Sequence, residues 1–405
     1  MKSPGKANHK SILVLCGLAA LADGYDVQVL GLAVPGMAQS LQLPPAAFTS
    51  VFLASLTGMA CGAAALAPLA DRYGLRRVLL ALLGFIGFAT AGTVTSGSTN
   101  ALAGWRFFTG MGLGALMPVA IAVALRHAAP ERRNFQVTLM VTCTAFGSFL
   151  AGMVAPALEA RWHWQGLFGA GALLPLPILL LAFVGLPADA PQVGGRPAAV
   201  PPTAPANATP SVAALFSPVL RRRTTVLWVL FWLSLFAIYA LISWLPALLT
   251  AAGWERSAAQ RAAGFMALGS VIGGPALATL MDRGHDRWSP AVAYGVAALA
   301  LVPFVLGYLP IAATVPLLML VGACAMGAQQ ALGAYSALHY PASLRATGSG
   351  WTSGIGRLGG MLGPTVLGGL LARGVTPVYA LGVLALPLVL AAVAVLLLPA
   401  LPDAD

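Results

Sequence analysis

Long apolar segments recur along this chain, and most of them contain no charged residue. The 405 residues are 59% hydrophobic and only 8% charged, whereas about a quarter of the residues in a soluble domain carry a charge. A helix needs about 20 mainly apolar residues to cross the hydrocarbon core of a bilayer. The chain contains twelve such segments, at 11–34, 47–69, 78–96, 101–125, 136–158, 165–186, 224–251, 258–281, 290–309, 312–338, 347–372 and 376–399. We therefore predict an all-α membrane protein with twelve transmembrane helices, because barrel strands would be shorter and would alternate in polarity.

The basic residues are concentrated in alternate loops between these segments. With the N-terminus inside, the cytoplasmic segments hold 16 of the 22 lysines and arginines, as the positive-inside rule requires. The net charge of +11 thus indicates orientation, and no nucleic-acid partner is expected. We expect a multi-pass protein of the plasma (inner) membrane with both termini in the cytoplasm. The triplet Ala20-Leu21-Ala22 imitates a signal-peptide cleavage site, but the apolar run resumes after Asp26 and completes a full span.

The longest break between apolar segments divides the chain into two halves of six spans each. The centre of this break is rich in proline and alanine, which is typical of a linker without a core of its own. The predicted organisation is an N-terminal half at 1–186, a cytoplasmic linker at 187–223 and a C-terminal half at 224–405. Secondary transporters with repeated halves have this arrangement.

A short charged motif recurs after the second span of each half. Asp71, Arg72 and Gly74 follow the second span of the chain, and Asp282 and Arg283 follow the eighth. The positive-inside rule alone is one explanation for such a basic loop, and an internal repeat is the other. The motif stands at the same place in both halves, which favours the repeat.

Apart from Arg261 at the start of the eighth span, four charged residues lie inside predicted spans, where each charge costs at least about 2.5–3.5 kcal/mol. Asp23 and Asp26 are three residues apart, so both carboxylates lie on one face of the first helix. Two such carboxylates resist ionising together, which suits them to carry a coupling proton. The guanidinium of Arg357 can donate two parallel hydrogen bonds to the carboxylate of a substrate. Arg106 is a candidate gate or partner of Asp26. A structural salt bridge between the aspartates and either arginine is the alternative, and both roles hold if the bridge breaks during transport.

A few uncharged residues of the second half are candidates for the wall of a substrate cavity: Gln329 and Gln330 in the tenth span, and Tyr239 and Trp244 in the seventh. Trp244 lies near a helix end, so an interfacial anchor is an equal alternative. Glycines in the fourth and eleventh spans predict close helix packing. The histidines lie at or outside span ends and are expected to be solvated or interfacial.

No motif of the chain indicates an enzyme. A Walker loop, a dinucleotide-binding loop, a zinc-binding spacing and a hydrolytic triad are all missing from the sequence. The four cysteines are widely spaced within predicted spans and favour neither a disulfide framework nor a metal site. We expect no catalytic residue, no metal and no cofactor.

Several motifs together resemble one family of transporters. The loop DRYGLRR at 71–77 is similar to the loop signature of the major facilitator superfamily. The segments DGYD at 23–26, RFFTGMGLG at 106–114 and GIGR at 354–357 resemble signatures of its aromatic acid:proton symporter family. Within that family, the resemblance points to the branch that carries hydroxyphenylpropionate and similar phenolic acids.

This resemblance implies a fold of two six-helix halves. It also implies that particular residues serve proton coupling, substrate binding and conformational change. Asp23 and Asp26 would serve transport and proton coupling, and Arg106 and Arg357 would matter for the substrate. Asp71 and Gly74 of the recurring loop motif would form a conformational latch.

The expected function is import of a small aromatic carboxylate by proton symport with alternating access. The substrate would be of the hydroxybenzoate or hydroxyphenylpropionate type, and the carrier is expected to work as a monomer in the lipid bilayer. The alternative is a drug or metabolite exporter of the same superfamily that works by proton antiport. The fifth span lacks the Gly-Pro pattern typical of such antiporters, which counts against the alternative.

Overall fold

The structure, a computed structural model, describes residues 9–127, 133–187, 212–306, 311–341 and 344–399. These ranges are mainly helical and contain no strand. The helices before residue 188 are α1 (His9–Leu41), α2 (Thr49–Ala65), α3 (Leu69–Tyr73), α4 (Leu75–Val94), α5 (Thr99–His127), α6 (Arg133–Leu173) and α7 (Pro175–Gly185). Those after residue 211 are α8 (Arg221–Ala251), α9 (Arg256–Leu280), α10 (Trp288–Leu306), α11 (Ile311–Val321), α12 (Gly327–Tyr335), α13 (Arg345–Ala372), α14 (Pro377–Val383) and α15 (Ala385–Leu397).

Ten of the described helical segments are long and apolar enough to cross a membrane. One of them, Thr142–Gly185, has 44 residues, about twice the length that a span needs. Its backbone leaves the helical conformation at Trp162 and His163, where φ is −131° and 53°, so two consecutive spans meet there. Counting these two separately and adding the shorter apolar helix Trp288–Phe304 would bring the described total to the predicted twelve. The chain is an all-α, multi-pass membrane protein.

The chain forms two compact units, Met1–Ala199 and Val200–Asp405. The boundary between them lies inside the predicted linker at 187–223. Residues 188–211 of that linker lie outside the described part of the chain.

The last residues of the predicted linker are helical. A 3₁₀ helix covers Val212–Phe216, and α8 already begins at Arg221. The hydroxyl of Thr224 donates to the carbonyl oxygen of Leu215 over 2.8 Å. This contact ties the short helix to α8, so the second unit begins before residue 224.

Glycines set the closest approach of helices in the first unit. A Cβ at Gly24 of α1 would lie 1.8 Å from the carbonyl oxygen of Thr144 on α6, and a Cβ at Gly147 would lie 2.0 Å from that of Leu21. No side chain fits at such distances, so α1 and α6 pack backbone to backbone. Gly114 of α5 approaches α2 in the same way. These contacts are of the small-residue type common between membrane helices.

The predicted packing of the glycine-rich eleventh span is confirmed in part. A Cβ at Gly359 or Gly363 of α13 would lie 2.1 Å from a carbonyl oxygen of α8. By contrast, nothing lies within 4 Å of a Cβ at Gly350 or Gly354. Among the glycines of α13, those that lie against α8 are therefore Gly356, Gly359, Gly360 and Gly363, on both sides of Arg357.

A π-helical segment, Gly322–Met326, interrupts the tenth predicted span between α11 and α12. Gly322 lies against α9, where a Cβ would come 1.7 Å from the carbonyl oxygen of Met266. Single π-helical turns inside helices frequently occur at functional sites. Here the π-helical segment directly precedes α12, which carries Gln329 and Gln330.

Candidate functional site

A buried ion pair joins α1 to α5. Both carboxylate oxygens of Asp26 accept hydrogen bonds from Nη1 of Arg106 at 3.0 Å, and Nη2 donates to the Asp26 carbonyl oxygen at 3.4 Å. Asp26 is 2% exposed and Arg106 is 1% exposed. The guanidinium carbon also lies 5.6 Å from the centre of the Phe168 ring, within the range of a cation–π contact. Of the two roles considered for Arg106, the structure shows the pairing with Asp26, and a role as a gate stays a prediction.

Helix α6 encloses the part of α1 that carries the two aspartates. The Ser148 hydroxyl donates to the Gly24 carbonyl oxygen over 2.8 Å, and the Tyr25 hydroxyl donates to the Leu167 carbonyl oxygen over 3.0 Å. Asp23, one helical turn before Asp26, is 5% exposed. Both carboxylates are therefore held inside the N-terminal unit.

Arg357 has different surroundings from Arg106. Its side chain is half-buried, and among the described residues it forms no hydrogen bond or ion pair. Its neighbours Gly356 and Gly359 lie against α8, which fixes the backbone of α13 at this point. Helix α13 thus places the positive charge of Arg357 within the membrane, and no side chain of the described residues pairs with it. The guanidinium is therefore available to an anion.

Two hydroxyl groups orient the side chain of Gln329. Ser234 of α8 and Tyr294 of α10 both donate to its Oε1, the latter over 3.3 Å. Ser234 and Tyr294 are fully buried, whereas Gln329 is half-buried. Because these hydroxyls engage the oxygen, the amide nitrogen is left to donate to a ligand. The neighbouring Gln330 packs its side-chain oxygen against Gly274 of α9.

The two aromatic candidates of α8 both contact α13. The ring of Tyr239 is half-buried and packs against Gly360. Trp244 is fully buried, and its indole nitrogen donates to the Pro364 carbonyl oxygen over 2.9 Å. Full burial does not agree with an interfacial anchor, which has one side in water. The hydrogen bond joins α8 to α13, and a role of Trp244 in a substrate cavity remains a prediction.

The charged residues of the recurring loop motif lie at the surface. Asp71 and Arg72 are exposed, and so are Asp282 and Arg283. The φ angle of Gly74 is 98°, a conformation that side-chain-bearing residues rarely adopt. Gly74 therefore allows the sharp change of direction between α3 and α4.

An arginine that follows each motif makes an equivalent contact in its own unit. Arg76, five residues after Asp71, donates from Nη2 to the Phe183 carbonyl oxygen over 2.6 Å. Arg287, five residues after Asp282, donates from Nη2 to the Leu398 carbonyl oxygen. Both acceptors lie at the end of the last span of their unit. The positive-inside rule requires positive charge in these loops but not the same contact, so this equivalence favours an internal repeat.

A cluster beside Arg287 was missed by reasoning from the sequence. The Tyr335 hydroxyl donates to the carboxylate of Asp286, and the ring of His339 lies 5.3 Å from that of Tyr335. His339 is 1% exposed, so the expectation of a solvated or interfacial histidine is wrong at this position. Burial, with the positive charge of Arg223, lowers the pKa of His339 to about 4. No local pattern could reveal the cluster, because Asp286 and Tyr335 are 49 residues apart.

Comparison with known proteins places the chain in a family. Residues 16–364 match the family described as Major Facilitator Superfamily. A bacterial homologue of the human lysosomal transporter Spinster has a similar solved structure, with a TM-score of 0.74 over 97% of both chains and 15% sequence identity. This low identity supports the likeness of fold alone.

Curated relatives share more of the sequence over nearly the whole chain. The gallate transporter of Pseudomonas putida is 33% identical over 95% of this chain and 90% of its own. The 3-(3-hydroxy-phenyl)propionate transporter of Escherichia coli is 32% identical, with coverage of 98% and 96%. The 4-hydroxybenzoate transporter of Pseudomonas aeruginosa is 32% identical, with coverage of 97% and 93%. The chain therefore belongs to the Major Facilitator Superfamily, in the branch of its aromatic acid:proton symporters.

Proposed function

We propose that this chain imports a small aromatic carboxylate together with protons, by alternating access. The substrate is of the hydroxybenzoate or hydroxyphenylpropionate type, a class supported by the compounds that name the relatives above. The observation that carries the proposal is the contrast between two intramembrane arginines. Arg106 is neutralised by Asp26, whereas Arg357 keeps a charge that an anionic substrate would neutralise.

In the substrate-bound state, Arg357 pairs with the carboxylate of the substrate. The amide nitrogen of Gln329 donates to a second oxygen of the substrate, and Gln330 adds a polar group on the same helix. Tyr239 and Trp244 provide aromatic surface to the ring, since aromatic pairs contribute about 0.5–1.5 kcal/mol beyond the area that they bury. This arrangement selects a planar acid over a neutral or cationic solute.

Asp23 and Asp26 form the proton-coupling pair. Protonation of the pair removes one negative charge from a region closed to solvent. This weakens the salt bridge between Asp26 and Arg106. The salt bridge therefore stabilises the deprotonated carrier, and its opening accompanies the change between the outward- and inward-open states. Structural and transport roles of the bridge are thus compatible.

The cytoplasmic loops orient the carrier and take part in its conformational change. The basic loops orient it in the inner membrane with both termini in the cytoplasm. Asp71, Gly74 and the equivalent loop residues Asp282 and Arg283 act as conformational latches on the cytoplasmic side. The carrier functions as a monomer, because each substrate and proton group named here comes from one chain.

Replacing Arg357 by glutamine tests the substrate site. We expect the Kd for 4-hydroxybenzoate to rise about tenfold to a hundredfold, because a hydrogen bond to a charged group contributes about 1.5–3 kcal/mol. The affinity for 4-hydroxybenzamide, which has no carboxylate, should stay at its low wild-type value. Binding of radiolabelled ligand to the purified protein measures both.

Arg373→Gln is the matched control for this measurement. Arg373 ends the same helix and is exposed, so its loss removes one positive charge from α13 without touching the site. Its Kd should equal that of the wild type. Equal affinity of Arg357→Gln and Arg373→Gln for 4-hydroxybenzoate would contradict the assignment of Arg357.

A further inference from the structure

Gln329 of α12 carries an amide whose direction is set by two buried hydroxyl groups. Ser234 of α8 and Tyr294 of α10, both 0% exposed, donate to its Oε1. The amide is planar, so its nitrogen points away from the two hydroxyls. Among the described residues this nitrogen forms no hydrogen bond, and the side chain as a whole is half-buried. The two hydroxyls thus fix an N–H donor that a ligand can use.

Tyr294 opposes the reverse orientation of this amide. If the amide turned round, its nitrogen, which is a donor, would take the place of Oε1. The proton of the Tyr294 hydroxyl would then lose the acceptor that it has in this structure, and a buried donor without an acceptor is costly. The Ser234 hydroxyl also lies 3.3 Å from the Phe231 carbonyl oxygen of its own helix. Tyr294 therefore holds the orientation more strictly than Ser234 does.

The turn of α8 that carries Ser234 also lies against α13 beside Arg357. A Cβ at Gly356, the residue before Arg357, would lie 3.1 Å from Cβ of Phe231. Phe231 precedes Ser234 by three residues, which is a rise of about 4.5 Å along the helix. Because Ser234 bonds to Gln329, Arg357 and Gln329 lie at nearly the same depth, on two helices that both contact this turn of α8.

We propose that Gln329, oriented by Tyr294 and Ser234, is the subsite for a ring hydroxyl of the substrate. Its N–H donor selects a ring substituent that accepts a hydrogen bond. The inference rests on the proposed function, in which Arg357 pairs with the carboxylate. In 4-hydroxybenzoate the carboxylate and the hydroxyl stand at opposite ends of the ring, so each end meets one of the two helices. Tyr294 and Ser234 are positioning residues, because they act on the substrate only through Gln329.

A fixed N–H donor distinguishes three ring substituents. The oxygen of a phenol accepts its hydrogen bond. Benzoate has no acceptor at this place and leaves the donor of Gln329 unpaired. The amino group of 4-aminobenzoate is similar in size to a hydroxyl, but its lone pair is delocalised into the ring, so it donates and hardly accepts. We therefore expect 4-hydroxybenzoate to bind more tightly than both other acids. An acceptor at this place in the protein would favour the amino compound as well.

The measured quantity is the ratio of the Kd for benzoate to the Kd for 4-hydroxybenzoate. Competition against radiolabelled 4-hydroxybenzoate on the purified protein gives both values. We expect the wild type to prefer 4-hydroxybenzoate about tenfold, over benzoate and over 4-aminobenzoate alike. Gln329→Leu should remove this preference, because it removes the donor. Tyr294→Phe should lower the ratio about threefold, and Ser234→Ala should lower it less, because Tyr294 still holds the amide.

The positioning role also predicts that these substitutions are not additive. In the Gln329→Leu background, Tyr294→Phe should leave the ratio unchanged, since no amide remains to be oriented. The matched controls are Tyr340→Phe and Ser270→Ala. They remove hydroxyls of fully buried residues that bond elsewhere in the same unit. Both controls should keep the wild-type ratio.

The outcomes separate this inference from the proposed function. If the wild type binds neither 4-hydroxybenzoate nor benzoate, the proposed function is wrong, and the subsite falls with it. If the wild type binds 4-hydroxybenzoate no better than benzoate, or no better than 4-aminobenzoate, the proposed function stands and the donor assigned to Gln329 is wrong. An equal rise of both Kd values in Tyr294→Phe would overturn the positioning role, because a general loss of packing does not distinguish the two ligands.

Discussion

Arg106→Ala should produce the largest loss of stability of any single charge substitution in the N-terminal unit. Its removal leaves the carboxylate of Asp26 buried at 2% exposure without the cation that now contacts both oxygens. Breaking a buried pair by removing one partner costs about 3–5 kcal/mol. The thermal unfolding midpoint of the detergent-purified protein, followed by intrinsic fluorescence, should fall well below that of the wild type.

The double variant Asp26→Asn, Arg106→Gln separates the charge effect from general loss of packing. It removes both charges and keeps side chains of similar size that hydrogen-bond to each other. We expect its unfolding midpoint to recover most of the loss seen in Arg106→Ala, while driven transport stays absent because Asp26 no longer ionises. If the double variant unfolds as early as Arg106→Ala, the pair does not account for the stability of this region.

Gly24→Ala should be nearly as damaging, although it adds only one methyl group. The new Cβ would lie 1.8 Å from the carbonyl oxygen of Thr144, and a backbone atom inside a helix cannot move aside as a flexible side chain can. Overpacking typically costs about 1–3 kcal/mol, and sometimes more. The contact also lies next to Asp23, so separation of α1 from α6 should lower transport as well as the yield of folded protein.

Gly104→Ala is the control for this substitution. Gly104 lies within α5 and has no atom within 4 Å of an added Cβ. The same chemical change should therefore leave the fraction of monodisperse protein in size-exclusion chromatography unchanged, whereas Gly24→Ala should reduce it severely. Equal behaviour of the two variants would show that α1 and α6 do not pack as closely as described.

The spans and the intramembrane charges were predictable because both follow from the cost of placing polar groups in lipid. Hydropathy alone locates apolar segments of the required length, and it marks Asp23, Asp26, Arg106 and Arg357 as exceptions. It does not reveal which of these charges meet. Asp26 and Arg106 are 80 residues apart in sequence, and only the packing of α1 against α5 brings them together.

Other features depend on packing that no local pattern encodes. His339 stands at a span end, where a histidine is normally in contact with water, yet the fold buries it beside Tyr335 and Asp286. Tyr239 and Trp244, which the sequence predicts to line a substrate cavity, are a second example. Trp244 points its indole nitrogen at a backbone carbonyl of α13, a partner that its position in α8 does not disclose.

We propose that a proton gradient drives aromatic carboxylate uptake through Asp23 and Asp26. It is tested most directly with labelled 4-hydroxybenzoate in proteoliposomes whose outside is more acidic than the inside. Because the protonated acid also crosses lipid unaided, uptake into protein-free liposomes under the same gradient is subtracted. Glu255→Gln, at an exposed carboxylate that precedes α9, controls for the loss of one acidic group.

We expect the gradient to stimulate uptake severalfold in the wild type and in Glu255→Gln, and a protonophore to abolish that stimulation. Asp23→Asn should show no stimulation, because an amide cannot bind the coupling proton. Wild-type uptake that is the same with and without the gradient, after subtraction of the protein-free rate, would contradict the account.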